Sequence, residues 1–543
     1  MFAWILTLCA VTAVSCLVAN SASDGGGRFT IFVGAFLLQC VARAIYALLL
    51  KPYWLSPLTR LPQPKGGSLF NGHFGNIYRS GSGDMEEKWF NEIPNNGCIY
   101  YRGLFNRPNV MVTSPDAVKQ VLTRTYEFPK PAGLRHFAAR VLGIGLFLSE
   151  GAQHRQQRKT FLPAFAPRHV RGMYPIFWSK SCEAVARLTG LSNQGGLEFE
   201  VGHWASRTAM DVVTMAMMGK DFGAIADEQS SLSKAYRALL QPSRGFLVLA
   251  ILKGFFPATL VDGLPVEINK RIDQAVTTVR GTCREMLREK KHKLKTQALL
   301  GKDFLSIAVQ YEDIANASEE QIIDQLTTAL GAGHETISVA ITWVVYMFCL
   351  HPQWQVRVRD QVRTCLPSPH GQSKGLEPTA TQVESLTLLQ AFIHETLRRL
   401  PSVPLTSRYT AKDCIIAGHR IPQGTRLAIP IRAINRDTRL WGPDAHSFCP
   451  NRWIGPDGQL LPTGGVSTKY GNLTFLQGAR ACIAKGLVKA EMACIVACWI
   501  GRFEFAVADE TLMDETTIKV SGGSLSTKPL YGLHVKAKVV PGW

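Results

Sequence analysis

One ten-residue run near the C-terminal end, Phe475-Leu-Gln-Gly478-Ala-Arg480-Ala-Cys482-Ile-Ala484, constrains this chain more than any other stretch. It sets a single cysteine after a glycine-containing turn, with an arginine two residues ahead. Lys485 to Trp499, rich in Ala, Val, Ile and Leu, then reads as a helix. A thiol just ahead of a helix N-terminus is stabilised as the anion by unpaired backbone N–H groups and the helix dipole. Thiolate is in turn a soft ligand suited to iron. A lone free cysteine is more often a buried packing residue. Here it is the specified neighbours, Phe475, Gly478 and Arg480, that argue for a ligand.

The run resembles the haem-binding loop of the cytochrome P450 superfamily, Phe-x-x-Gly-x-Arg-x-Cys-x-Gly, with Ala484 in place of the last glycine. The resemblance implies that Cys482 is the axial ligand of haem iron and that Phe475, Gly478 and Arg480 help bind the haem b. The extra methyl of Ala484 is expected to crowd the following helix against the porphyrin.

Four further motifs stand in the order the resemblance requires. Gly151 to Lys159 is basic, and His154 and Arg158, four apart, share one helix face. Alone this reads as a solvated charged face. Relatives place Trp-x-x-x-Arg here to hold a haem propionate, which implies that role for Arg158, with His154 in the tryptophan position. Ser318-Glu-Glu-Gln321 is a capping box opening a long helix through about Leu350, with Pro352 beyond.

Within that helix lies Gly331-Ala-Gly333-His334-Glu335-Thr336. Two mid-helix glycines cost about 1 kcal/mol each against alanine, so a compensating role is expected. Bare backbone at Gly333 would admit a flat cofactor and a diatomic ligand, and Glu335 and Thr336 supply a carboxylate and a hydroxyl able to relay protons. The alternative is a kink, with Thr336 bonded back to a carbonyl. The hexapeptide is similar to the family's oxygen-activation motif, which implies catalytic roles for Glu335 and Thr336. His334, at the variable place, reads as a packing residue. Glu395-Thr-Leu-Arg398 has helical i,i+3 spacing, and Pro450-Asn451-Arg452-Trp453 follows. The family pairs such residues into a bracing network, here Glu395, Arg398 and Arg452. Arg408 occupies the place of a second propionate-binding arginine.

Composition bounds the remainder. A net charge of +19 favours acidic surfaces. With no zinc-finger spacing and no concentrated basic arm, a membrane face or an acidic protein fits better than nucleic acid. Thirteen scattered cysteines without a C-x-x-C pair speak for a reducing compartment. Residues 1–23 carry no charge and are long enough for a transmembrane anchor. Residues 24–50 form a second apolar segment, a span or an interfacial helix with Arg43 snorkelling. Lys51, Arg60 and Lys65 follow, as expected on the cytosolic side. Residues 51–67 are Pro/Gly-rich and read as a hinge, and 68–543 as the haem-thiolate catalytic domain.

Gly245 to Leu260 is apolar enough to be a buried helix or a membrane-dipping one. Ile518 to Val540 reads as a final hairpin around Ser521-Gly-Gly-Ser524.

The expected fold is mainly α with a minor β domain (α+β), the P450 fold behind an N-terminal membrane anchor. The expected activity is oxygen insertion into a lipophilic small molecule at the cytosolic face of the endoplasmic reticulum. The overall style resembles fungal members acting on secondary metabolites such as terpenoids or polyketides. The chain holds no G-x-G-x-x-G fingerprint, so electrons are expected from NADPH through a separate reductase. Arg155, Lys159, Lys485 and Lys489 are candidate contacts for it. Two rival readings remain at this level: a haem-thiolate isomerase or dehydratase working without reductase, and a non-catalytic membrane-tethered haem or lipid carrier.

Overall fold

The computed structural model describes residues 25–543 apart from 193–196, 241–244, 246–247, 250–251, 254–255, 297–302, 370–375 and 522–525. The proposed 1–23 anchor, the glycines of the Ser521–Ser524 turn and much of the Gly245–Leu260 stretch therefore lie outside the described residues. Helix α1, Gly25–Ile45, runs on into a π-helical turn, Tyr46–Leu55. Within Val33–Arg60 an 18-residue window has a mean hydropathy of 1.9, and none of it is buried. Leu38 is 70% exposed and Trp54 68%, an apolar surface that water does not stabilise and a lipid phase would.

Residues 51–67, read above as a hinge, are fastened to the body. Leu58 and Leu61 are buried, the Tyr100 hydroxyl donates to the Pro52 carbonyl over 3.2 Å, and the Tyr100 N–H donates to Pro62 over 2.8 Å.

The helices that position the site follow in chain order: α2 (Ala132–Leu142), α3 (Gly151–Phe161), α4 (Tyr174–Leu191), α5 (Val201–Met218), α6 (Glu319–Leu350), α7 (Thr387–Arg399) and α8 (Lys485–Arg502). Helix α6 is their axis. Ser318 Oγ accepts the Gln321 N–H while Gln321 Oε1 accepts the Ser318 N–H, and Glu319 and Glu320 lie in the favourable first turn. Its β-branched run, including Ile337, Val339, Ile341, Val344 and Val345, is buried. Such residues are indifferent helix formers, so tertiary packing holds this segment helical. Phe348 stacks on Phe392 of α7 with centroids 3.9 Å apart.

The β structure is minor. Strands β1 (Cys98–Arg102), β2 (Pro108–Val112), β4 (Thr406–Tyr409) and β7 (Arg426–Ile429) form one sheet in the order β1-β2-β7-β4, with β2 and β7 parallel. It carries its own apolar core, separate from that around α6. Strands β3 (Leu197–Glu200), β8 (Phe503–Val507) and β9 (His534–Val539) form a second sheet with β9 central, and β5 (Cys414–Ile416) pairs with β6 (His419–Ile421). The expected terminal hairpin is shorter than Ile518–Val540. Its arms meet only around Val520 and Pro529, because β9 is taken up between β3 and β8.

Candidate active site

The cysteine loop is closed by its own backbone. The Cys482 N–H donates to the Phe475 carbonyl over 2.8 Å, and that of Ala481 to Gly478 over 3.0 Å. Leu476 (φ +55°) and Gly478 (φ +77°) both take left-handed backbone. At Gly478 a Cβ would lie 2.5 Å from the Leu122 carbonyl oxygen, so only glycine fits. Cys482 is accessible yet deeply set. Burial raises its thiol pKa, while the Ala484 N–H and the charges of Arg158 and Lys485 pull the other way.

Around this loop the structure gathers cations. Arg158 on α3 donates to the Ala481 carbonyl over 2.8 Å, directly before the cysteine. Arg480 donates to the Ser149 carbonyl over 2.7 Å and pairs with Glu150. Arg408, on β4 and 2% exposed, donates over 2.8 Å to the Ser407 carbonyl. Burial and then the charge of Arg480 lower its pKa to about 10. Lys130 is pushed well below its ordinary value by burial, Arg480 and Arg408.

His154 is buried, with Nδ1 3.1 Å from the Tyr126 hydroxyl. Burial, then Arg480, Lys130 and Arg158, hold its pKa at about 3, so the ring is neutral. Lys130, Arg408 and Arg480 thus share the field of one carboxylate, Glu150, with Arg158 beside the cysteine. Neither Lys130 nor Glu150 was marked by the sequence, because each stands outside any motif.

A second group lies on α6. Glu335 Oε1 accepts from Ser526 Oγ over 3.1 Å and lies 3.4 Å from Lys528 Nζ. Thr336 Oγ1 returns to the Ala332 carbonyl over 2.9 Å, the back-bonded arrangement weighed above, while the Thr336 carbonyl accepts from Ser402 Oγ over 2.8 Å. His334 is buried edge-on to Tyr236, with ring centroids 4.7 Å apart. A Cβ on Gly331 would lie 2.5 Å from Leu142 of α2, and one on Gly333 would lie 3.1 Å from Val213 of α5. Both glycines thus lie where neighbouring helices pack close. A cavity of about 520 Å³, lined in part by His203, Ser338, Glu335 and Lys528, reaches this carboxylate.

A third group braces the fold. Glu395 accepts from Arg398 Nε and Nη2, the Cys449 N–H, Arg452 Nε and Trp453 Nε1, at 2.8–3.1 Å. The rest of the Arg398 fork goes to the carbonyls of Asn435, Ala445 and Ser447. A buried charge pair is tolerated when it is saturated in this way. The sequence did not mark Trp453 as a donor to Glu395, nor Ser402 as the link between α6 and the tail, where the Thr527 N–H donates to the Ser402 carbonyl.

The comparisons agree along nearly the whole chain. It is 44% identical over 510 residues to the cytochrome P450 monooxygenase buaD of Petromyces alliaceus, covering 93% of this chain and 92% of that one. It is 35% identical to the cytochrome P450 monooxygenase sphH of Aspergillus fumigatus, with 95% of each chain covered. Against FUM15 of Gibberella moniliformis, also a cytochrome P450 monooxygenase, identity is 32%, over 94% of this chain and 93% of that one. Residues 62–534 match the family model described as cytochrome P450. A helical body built on α6, a minor β portion and a cysteine loop at the head of α8 are thus accompanied by full-length sequence agreement, and the chain belongs to the cytochrome P450 family.

Proposed function

We propose that this chain is a membrane-bound haem-thiolate monooxygenase that inserts one oxygen atom from O2 into a lipophilic small molecule, by hydroxylation, epoxidation or successive oxidation. The observation that carries the reading is the cluster beside Cys482, where Lys130, Arg408 and Arg480 lie in the field of the single carboxylate of Glu150 and Arg158 donates to the Ala481 carbonyl. Cations buried with so little counter-charge fit a group that brings two carboxylates of its own. Haem b is such a group. Arg158, Arg408 and Arg480 would hold its propionates, with His154 as a neutral neighbour, and Cys482 would take the iron. When bound, haem supplies the one-electron and dioxygen chemistry that side chains lack.

The remaining work falls to this chain's own residues. Phe475, Gly478 and Arg480 fix the loop that carries the thiol. Glu335 offers a carboxylate to pass protons, its Oε1 oriented by Ser526 and Lys528, and the 520 Å³ cavity gives that carboxylate a route to water. Thr336 presents its hydroxyl once it turns from Ala332. Glu395, Arg398 and Arg452 keep the scaffold rigid.

The exposed apolar helix α1 supports anchoring to the endoplasmic reticulum membrane with the body in the cytosol. Electrons would come from NADPH through a separate reductase, and no nucleic acid is involved. The fungal relatives support a substrate among secondary metabolites such as terpenoids or polyketides.

The test is the carbon-monoxide difference spectrum of the dithionite-reduced protein beside Cys482→Ala. A far red-shifted Soret band in the parent, absent from the variant, is expected. A band of histidine-ligated haem, or well-folded protein that takes up no haem, overturns the reading.

A further inference from the structure

On the far side of Phe475 and Gln477 lies a cavity of about 220 Å³ that the proposed reaction does not use. Its floor holds His394 and Trp453, and its walls hold Lys469, Lys485, Lys489 and several threonine, asparagine and glutamine side chains. No carboxylate lines it. His394 is 7% exposed, and neither ring nitrogen has a hydrogen-bond partner among the described residues. The adjacent Glu395 cannot serve it, being occupied by its arginines, Trp453 and the Cys449 N–H.

Lys485 and Lys489 stand four apart on the first turns of α8, where the helix dipole adds positive potential. Burial and the charge of Lys485 lower the Lys489 pKa to about 8. A half-buried ammonium with no ion pair among the described residues and a buried imidazole without a partner are both costly arrangements. They are grouped around one opening. Organic ligands occupy pockets of roughly 300–1,000 Å³, so this one suits an ion and a few waters.

We propose that this cavity is a binding site for a small oxyanion of the phosphate class, held by Lys485, Lys489 and the His394 ring. The ammonium groups supply charge, and an imidazole N–H and threonine hydroxyls supply directed donors. Acetate, a carboxylate, serves as the comparison ion.

The experiment is thermal unfolding of the full-length, detergent-solubilised protein with inorganic phosphate, acetate or chloride at equal ionic strength. Phosphate is expected to raise the melting temperature saturably, by about 2–4 °C. Lys489→Met should abolish the rise and Lys485→Gln should weaken it. Lys485 is exposed, so its variant carries the test if Lys489→Met does not fold. Phosphate acting alone supports the proposal, and acetate acting equally overturns it in favour of a general anion site. A response to chloride equal to that to phosphate, or an unchanged phosphate response in the variants, overturns the proposal.

Discussion

Lys528 Nζ lies 3.4 Å from Glu335 Oε1, joining the C-terminal tail to the middle of α6 across 193 positions of sequence. With the Ser526 hydroxyl on the same oxygen, the tail sets the orientation of the carboxylate assigned to proton handling. Glu335→Gln is expected to cut turnover by roughly 10²-fold, within the usual range for a lost acid–base group. Lys528→Met should cost about tenfold in turnover and leave stability within ~1 kcal/mol of the parent's, as for a partly exposed pair. Turnover measured together with peroxide release checks both. Unchanged turnover in Glu335→Gln would remove it from the proposed chemistry.

Glu395 is fully buried and takes its bonds from Arg398 one turn away and from Cys449, Arg452 and Trp453 beyond the helix. Breaking one partner of a buried pair costs about 3–5 kcal/mol. Arg398→Met should therefore reduce expression of folded protein and shift the urea midpoint sharply downward. Arg452→Lys should be milder, since Arg452 also reaches the half-exposed Asp444. Denaturant titration followed by circular dichroism distinguishes the two.

Gly478 and Ala484 make a contrast within one loop. Gly478→Ala drives a Cβ into the Leu122 carbonyl at a φ of +77°, a strain of about 1–3 kcal/mol. Ala484 sits at φ −91°, where alanine is unstrained, so Ala484→Gly should change stability by less than about 1 kcal/mol. Melting temperatures of the two variants check this, and equal losses would contradict it.

Glu491 on α8 is buried with both carboxylate oxygens lacking a partner among the described residues. Burial raises its pKa well above the ordinary 4.5. The folded chain therefore keeps a proton that the unfolded chain releases above about pH 4.5, so this residue lowers stability progressively as pH rises through neutrality. Glu491→Gln should raise the melting temperature at pH 8 and give no such gain at pH 4. A gain of the same size at both pH values would assign the effect to packing.

Much of the site was legible because its chemistry is local. The loop from Phe475 to Cys482 closes on itself through backbone bonds, the Ser318 capping box spans three residues, and Glu395 meets Arg398 one turn away. The packing around the glycines of α6 was not legible, for the opposite reason. Their missing Cβ atoms face Leu142 and Val213, and which surface of a helix a glycine lies on is not written in the hexapeptide around it.

What the sequence alone determined is the set of short-range devices: a thiol at the head of a helix, a carboxylate beside a hydroxyl, an arginine one turn from its acid. Local backbone geometry dictates each of them. Only the tertiary structure decided that Lys130, Arg408 and Arg480 share one carboxylate, and that Lys528 finds Glu335. It also decided that Lys489 and His394 share a cavity without an acid. Those outcomes depend on Coulomb and desolvation energies between groups that the chain separates by tens to hundreds of residues, and such energies take their values only when packing sets the distances.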